Sequence, residues 1–189
     1  LLIDHAWGYE TCRMSDIKNY HSEEHSLSNG QVLMRNYSFD EALVIVREMT
    51  DNLVLDLFEK GLVTNSLTLW IAYDHRYEHE ASKGTVKLER ESNSSKKIID
   101  AVEDLYLRIA DRYTGIRRIE VCANRVAPES YVQYSLFDDP KQTDKERHLQ
   151  EAVLNVKQRY GKNAIMRGSN LLECSTYRER NEQIGGHRA

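Results

Sequence analysis

The stretch LTLWIA, residues 67–72, places an aliphatic side chain at every second position. Side chains of a β-strand alternate between the two faces of a sheet, so this spacing predicts a strand with one buried face. Residues 85–90, TVKLER, alternate in the same way after a polar loop and predict a neighbouring strand. Gln31 to Arg35 and Ile116 to Val121 complete a set of four predicted strands.

Two amphipathic helices are predicted between these strands. Ser38 and Glu41 have the spacing of a capping box, in which each side chain satisfies a backbone amide of the first turn. The second helix is predicted to begin after Ser94 or Ser95, both good N-cap residues, and Gly61 suits the end of the first. The apolar positions expected to face inward are Ala42, Val46, Met49, Leu53 and Leu57 in the first helix and Ile98, Val102, Leu105 and Ile109 in the second.

The predicted order of elements is βαββαβ, which indicates an α+β fold. In this arrangement two helices cover one face of a four-stranded antiparallel sheet, and the other face stays open to a partner. A third helix is predicted after Pro140, ending at Gly161, with an apolar stripe formed by Leu149, Ala152, Val153, Val156 and Tyr160. From Lys162 onward the chain is rich in Gly, Asn and Arg, and we expect a mobile end.

Composition excludes several classes of protein. The chain has 189 residues and a formal net charge of −4, and 30% of its residues are charged, with no apolar run near the roughly 18 residues of a membrane span. Cys12, Cys122 and Cys174 are far apart, which argues against a disulfide framework and fits a reducing cytoplasm. We therefore expect a cytoplasmic protein without a membrane partner.

No catalytic constellation stands out in the sequence. His21 with His25, and His75 with His79, have a spacing that suits metal ligands on a helix, but both pairs lie in predicted loops without a third ligand. We expect no metal site at either pair.

The distribution of charge separates the helices from the strands. Residues 26–126 hold 14 Lys and Arg against 16 Asp and Glu, a net charge of −2. The first helix (39–60) has a net charge of −4 and the second (96–113) has a net charge of zero. The strands and loops therefore have a net charge of +2. If Val32 and Met34 face the helices, Arg35 points outward. Cations and neutral donors placed there would suit phosphate contacts, although a solvated sheet face is an equal alternative. The candidate residues are Ser26, Ser28, Arg35, Lys83, Lys87, Arg90 and Arg118.

The segment QYSLFDD, residues 133–139, carries an apolar pair in acidic surroundings. Leu136 and Phe137 lie between Pro128 and Pro140, the chain's two prolines, and proline disfavours helices and central strands. An extended, exposed segment is therefore predicted. The pair either folds back onto the domain or anchors a docking peptide in a partner's pocket.

Several of these stretches together resemble the C-terminal part of Y-family translesion DNA polymerases, closest to the UmuC-like branch of bacteria. Residues 1–8 are similar to the end of the thumb domain, and residues 25–33 (HSLSNGQVL) to the tether entering the little finger domain. Residues 116–119 (IRRI) resemble that domain's last strand. Residues 133–137 (QYSLF) resemble the family's clamp-binding peptide, and residues 178–189 resemble the tail of this branch.

The resemblance implies a specific division of the chain. Residues 1–25 would be the end of the thumb and a linker, 26–127 the little finger, 128–140 the clamp-binding peptide, and 141–189 a C-terminal helix and mobile tail. The little finger would hold primer-template DNA by its backbone, with Arg117 and Arg118 as paired contacts. Gln133, Leu136 and Phe137 would dock on the sliding clamp, the β subunit.

The resemblance also implies that this chain is not itself an enzyme. The family's catalytic carboxylates and two magnesium ions belong to the palm domain, so no cofactor is expected here, and the parent would be a DNA-directed polymerase of the SOS damage response. Two rivals share the βαββαβ order: an RNA-recognition module and a protein-interaction domain. The first would carry stacking aromatics on its third strand, whereas Thr85, Val86, Lys87 and Leu88 follow Lys83-Gly84 here.

Overall fold

A computed structural model describes residues 6–9, 12–19, 26–76, 78–130, 140–184 and 187–188. Its helices and strands, numbered in chain order, are α1 (Met14–Asn19), β1 (Ser26–Tyr37), α2 (Phe39–Glu59), β2 (Leu62–Tyr73), β3 (Ser82–Ser92), α3 (Ser95–Ile109), β4 (Ile116–Asn124), β5 (Ala127–Pro128), α4 (Pro140–Tyr160), α5 (Tyr177–Asn181), β6 (Gln183–Ile184) and β7 (His187–Arg188). A short 3-10 helix, Gly168–Leu171, lies between α4 and α5.

The main sheet has the strand order β1-β4-β2-β3, with every pair antiparallel. The two-residue strand β5 extends it by pairing with the start of β2, so Pro128 belongs to the sheet and not to a detached segment. Helices α2 and α3 pack together on one face of this sheet. The predicted βαββαβ order and the α+β fold class are confirmed.

The ends of the two core helices are fixed by local hydrogen bonds. Glu41 N donates to Ser38 Oγ (3.4 Å) and Ser38 N donates to Glu41 Oε2 (2.9 Å), which confirms the capping box at the start of α2. Gly61 follows α2 with φ +61°, a left-handed conformation that glycine adopts without strain. Ser94 is the N-cap of α3 and accepts a hydrogen bond from Lys97 N (3.3 Å).

The core lies between the sheet and these two helices. Gly84 brings β3 close to α3, because a Cβ atom there would lie 2.8 Å from Leu105 Cδ1. The buried apolar side chains include every predicted inward position of α2 and three of the four in α3, and Ile109 is partly buried.

A bulge in β4 explains how two isoleucines three positions apart both point inward. Tyr73 lies opposite Ile116, and Ala72 lies opposite Arg118, so Arg117 is an additional residue in the strand. Strict alternation would send Ile116 and Ile119 to opposite faces, whereas both are fully buried. The bulge keeps Arg118 on the open face.

The predicted phase of β1 is wrong. Leu33 is fully buried, whereas Val32 and Met34 are 63% and 89% exposed and face away from the helices. The strand also begins at Ser26, five residues before the predicted Gln31. Three consecutive apolar residues hide the alternation at this point, so the sequence alone could not select the buried member.

Helix α4 confirms the predicted third helix, but its contact face is rotated. Leu149 and Tyr160 of the predicted stripe are 64% and 67% exposed, and Gln150 is buried instead, donating to Asn93 O (3.0 Å). Glu146 accepts hydrogen bonds from Ser94 Oγ (2.8 Å) and the Lys96 amide (2.9 Å) at the start of α3. Polar groups therefore help to dock the α4 helix, beside the half-buried Val153 and Val156 of the predicted stripe.

Within residues 163–184, part of the segment for which a mobile tail is predicted, several side chains pack against the helical layer. Tyr177 is 2% exposed, and Arg167 Nη2 bonds Asp51 Oδ1 of α2 at 2.7 Å. The buried carboxylate of Glu48 accepts hydrogen bonds from Ser175 Oγ and the Thr176 amide. Burial raises the pKa of Glu48. These contacts hold the described part of the C-terminal segment against the helical layer.

Candidate nucleic-acid interface

The sheet face opposite the helices is covered only by its own side chains in the described part of the chain. The strand registers arrange the outward residues in cross-strand rows, because directly opposed residues point to the same face. From β1 to β3 the rows are Ser26, Asn124, Ser66 and Lys87; Ser28, Cys122, Thr68 and Thr85; Gly30, Glu120, Trp70 and Lys83; and Val32, Arg118 and Ala72.

The middle of this open face is a neutral network of hydrogen-bonding groups. Asn124 Nδ2 donates to Thr68 Oγ1 (2.8 Å) and to Ser66 Oγ (3.3 Å). The hydroxyls of Thr68 and Thr85 lie 2.9 Å apart and share a further hydrogen bond. Hydroxyl and amide groups of this kind can turn toward phosphate or sugar oxygens without a charge.

The cations of the open face lie at two places. Lys83 and Lys87 are exposed on the edge strand β3, and Arg90 is exposed near its end. Arg118 lies on β4, where its guanidinium carbon is 5.1 Å from the centre of the Trp70 ring and Nη2 is 3.4 Å from Glu120 Oε2. The cations therefore lie at one edge and at one end of the face, with the Glu120 carboxylate between them, and Glu89 and Glu91 of β3 are exposed beside Lys87 and Arg90.

Two of the predicted cations occupy positions that differ from expectation. Arg35 is exposed but bonds Glu41 of α2, with Nη2–Oε1 at 2.6 Å and Nη1–Oε2 at 3.2 Å. The prediction that Arg35 shares the open face rested on the phase of β1 and is wrong in that respect. Arg117 is half-buried in the β4 bulge, next to Arg118 in sequence but outside the rows.

The two predicted serines lie on the open face, as expected. Ser26 and Ser28 are exposed at the start of β1, directly opposite Asn124 and Cys122. The structure thus brings Ser26, Ser28, Lys83, Lys87 and Arg118 onto one surface.

Sequence reasoning missed Thr68, Trp70, Thr85, Glu120 and Asn124 on the same face. The period of two that revealed the strands places all of them outward, so the signal was present in the residues between the aliphatic ones.

The predicted clamp-binding residues Gln133, Leu136 and Phe137 lie outside the described residues. The chain on either side is fixed: Glu129 N donates to Gly61 O (2.8 Å), and the Glu129 carboxylate is bound by Arg147 of α4.

A cleft of about 690 Å³ lies on the opposite side of the molecule, where α2 and α3 meet α4 and the C-terminal segment. Val54, Ile99, Leu149, Val153 and Ile165 contribute its apolar lining. It is separated from the open face by the full thickness of the domain.

Within the described part of the chain, no group of three or more His, Cys, Asp or Glu side chains is placed to hold a metal ion. His21 and His25 lie outside that part. All three cysteines are free, and no described helix has the length and apolar character needed to cross a membrane.

Comparison with known proteins decides the family. The model of the impB/mucB/samB family C-terminal domain matches residues 24–136, a range that contains the whole βαββαβ unit. The chain belongs to the impB/mucB/samB family. This result confirms the predicted resemblance.

Two bacterial relatives carry the similarity beyond the matched domain. DNA polymerase IV 2 of Bacillus subtilis (strain 168) is 25% identical over 164 residues, and DNA polymerase IV 2 of Halalkalibacterium halodurans is 21% identical over 168 residues. The alignments cover 86% and 88% of this chain but 39% and 40% of the relatives. The chain thus spans about two fifths of the length of these relatives.

Several solved structures are also similar to the chain. One is a complex of the beta-clamp processivity factor and the little finger domain of PolIV, at 11% identity and a TM-score of 0.43, covering 60% of this chain and 100% of that one. Another is a Y-family DNA polymerase chimera, at 16% identity and a TM-score of 0.42, covering 67% of this chain and 34% of that one.

Proposed function

We propose that this chain is the DNA-holding part of a longer, error-prone translesion DNA polymerase that acts in damage tolerance. Membership of the impB/mucB/samB family and the polymerase relatives support the class of parent protein. The chain itself would hold primer-template DNA without performing chemistry. Nucleotide transfer, with its magnesium ions, would belong to a palm domain outside these 189 residues.

The observation that carries the proposal is the open sheet face. Lys83, Lys87 and Arg118 supply positive charge, and hydroxyls such as those of Ser26 and Ser28 supply neutral hydrogen bonds on the same surface. A flat array of this kind suits the sugar-phosphate backbone, which repeats independently of sequence. Arg90 and Arg117 border this surface and would add contacts with flanking phosphates.

Titration of labelled primer-template DNA with the 189-residue chain tests this role. Binding should weaken steeply as salt increases, because phosphate neutralisation releases counterions, and it should be the same for unrelated DNA sequences. Absence of binding at low salt would leave a protein-interaction domain as the better account. Tighter binding to single-stranded RNA than to DNA would favour the RNA-recognition rival, although β3 carries no aromatic residue between Ser82 and Ser92.

We also propose that Gln133, Leu136 and Phe137 bind the sliding clamp. Leu136 and Phe137 would fill an apolar pocket while Gln133 bonds at its rim. Peptides of this kind bind near the micromolar range, about −8 kcal/mol, and loss of a buried aromatic anchor costs on the order of 2 kcal/mol or more.

A clamp pull-down with and without Leu136→Ala and Phe137→Ala tests this second role. The double variant should lose the clamp while its melting temperature stays at the wild-type value. A sharp fall in melting temperature would instead show that the pair folds back onto the domain.

A further inference from the structure

Glu120 is the single acidic residue among the outward-facing side chains of β1, β2 and β4, three strands that the structure describes throughout. It occupies the central row of the open face, directly opposite Gly30 on one side and Trp70 on the other. A carboxylate at this position is unexpected on a surface that approaches phosphates, since like charges repel.

The side chain of Glu120 is the nearest neighbour of Gly30 on the open face. A Cβ atom at Gly30 would lie 3.6 Å from Glu120 Cγ, and the three nearest atoms to it all belong to Glu120. The Glu120 side chain therefore lies beside Gly30 on the open face, at van der Waals distance from the position of a Cβ atom there.

Glu120 also engages the arginine of the same strand. Arg118 Nη2 lies 3.4 Å from Glu120 Oε2, and its guanidinium is stacked over the Trp70 ring at 5.1 Å. Both charged side chains are about half exposed. Arg118 is thus held between an aromatic face and a carboxylate, in a position that a phosphate can still reach.

We propose that Glu120 sets the strength of DNA binding by competing with phosphate for Arg118. This inference rests on the proposed function of the open face. The Arg118–Glu120 pair presents little net charge, so the carboxylate weakens the attraction between Arg118 and a phosphate. Changes of affinity among related complexes lie mostly in the dissociation rate. The open face would accordingly release the DNA backbone faster than its cations alone would allow.

A double-mutant cycle on primer-template binding tests this proposal with the 189-residue chain. Glu120→Gln keeps the shape of the side chain and removes its charge, and it should tighten binding about three- to tenfold at low salt, mainly through slower dissociation. The gain should shrink to less than half in the Arg118→Ala background and should disappear at high salt.

Glu151→Gln is the matched control, because Glu151 is exposed on α4 and its substitution changes the net charge by the same amount. This control should bind as the wild type does. An equal gain in both Arg118 backgrounds, or an equal gain for Glu151→Gln, would overturn the proposal while leaving the DNA-binding role intact. Absence of binding by the wild type and by Glu120→Gln alike would overturn both.

Discussion

The carboxylate of Glu129 and the guanidinium of Arg147 form a two-point ion pair, with Nη1–Oε1 at 2.7 Å and Nη2–Oε2 at 2.8 Å. Glu129 directly follows β5, and Arg147 lies in the second turn of α4. The pair therefore joins the two chain segments that flank residues 131–139. A planar, doubly hydrogen-bonded arginine–carboxylate pair is among the stronger polar contacts in proteins.

Substitution of Arg147 by Met should lower the free energy of unfolding by about 2 kcal/mol, because it leaves the partly buried Glu129 carboxylate without its main donor. Urea denaturation measures the change. Arg159→Ala, on the exposed last turn of α4, is the control and should shift the free energy by less than about 0.5 kcal/mol. Equal effects of the two substitutions would contradict a structural role for the pair.

Gly84→Ala should destabilise the domain by about 1–3 kcal/mol, because the new methyl group would press on Leu105 at the contact between β3 and α3. Gly168→Ala adds the same methyl group where no atom lies within 4 Å and should be close to neutral. Thermal melting of the two variants tests the close approach of β3 to α3. A wild-type melting temperature for Gly84→Ala would contradict that close approach.

Lowering the pH should reduce the stability that the capping box at the start of α2 contributes to the fold. Hydrogen bonds from Arg35 and Ser38 lower the pKa of Glu41 to about 2, from an ordinary value of 4.5. A carboxylate whose folded pKa is depressed contributes stability above its unfolded pKa, and that contribution is lost as the pH falls toward the folded value. The loss from Glu41 is thus expected between about pH 4.5 and pH 2.

Glu41→Gln and Arg35→Met should each flatten this part of the stability profile relative to the wild type. Urea denaturation at pH 2.5 to 6 measures the slope, with the difference between variant and wild type isolating this pair from other carboxyls. A wild-type slope in both variants would mean that the pair does not couple to folding.

Tyr177→Ala tests whether the C-terminal segment is part of the folded domain. The ring is buried and contacts Lys157 of α4, so its removal should cost about 2–4 kcal/mol in unfolding free energy. Tyr160→Ala removes an exposed ring at the end of α4 and serves as the control. If both variants melted alike, the segment would be mobile, as its composition predicts.

The order of elements could be predicted because local signals agree with the fold. The capping box at Ser38, the glycine at position 61 and the alternation of residues 67–72 each specify one feature, and all three are present. Where one face of a strand is buried, the period of two is sufficient.

The parts that the sequence did not reveal depend on contacts between distant residues. Val32, Leu33 and Met34 are all apolar, so their phase is set by packing alone. The bulge at Arg117 shifts the side chains by one position without a glycine to mark it. Composition suggested a mobile segment after Lys162, because its docking uses polar groups such as Arg167 that pair with distant partners on α2.

Arg117→Ala combined with Arg118→Ala tests the central claim most directly, through the salt dependence of primer-template binding. Each arginine that contacts a phosphate contributes about one unit to the slope of log affinity against log salt, so the double variant should bind more weakly with a slope shallower by about two. The control, Lys96→Ala with Arg108→Ala, removes the same charge from α3 on the helical side and should keep the wild-type slope. Identical slopes for the wild type and both double variants would contradict a DNA-binding role for the open face.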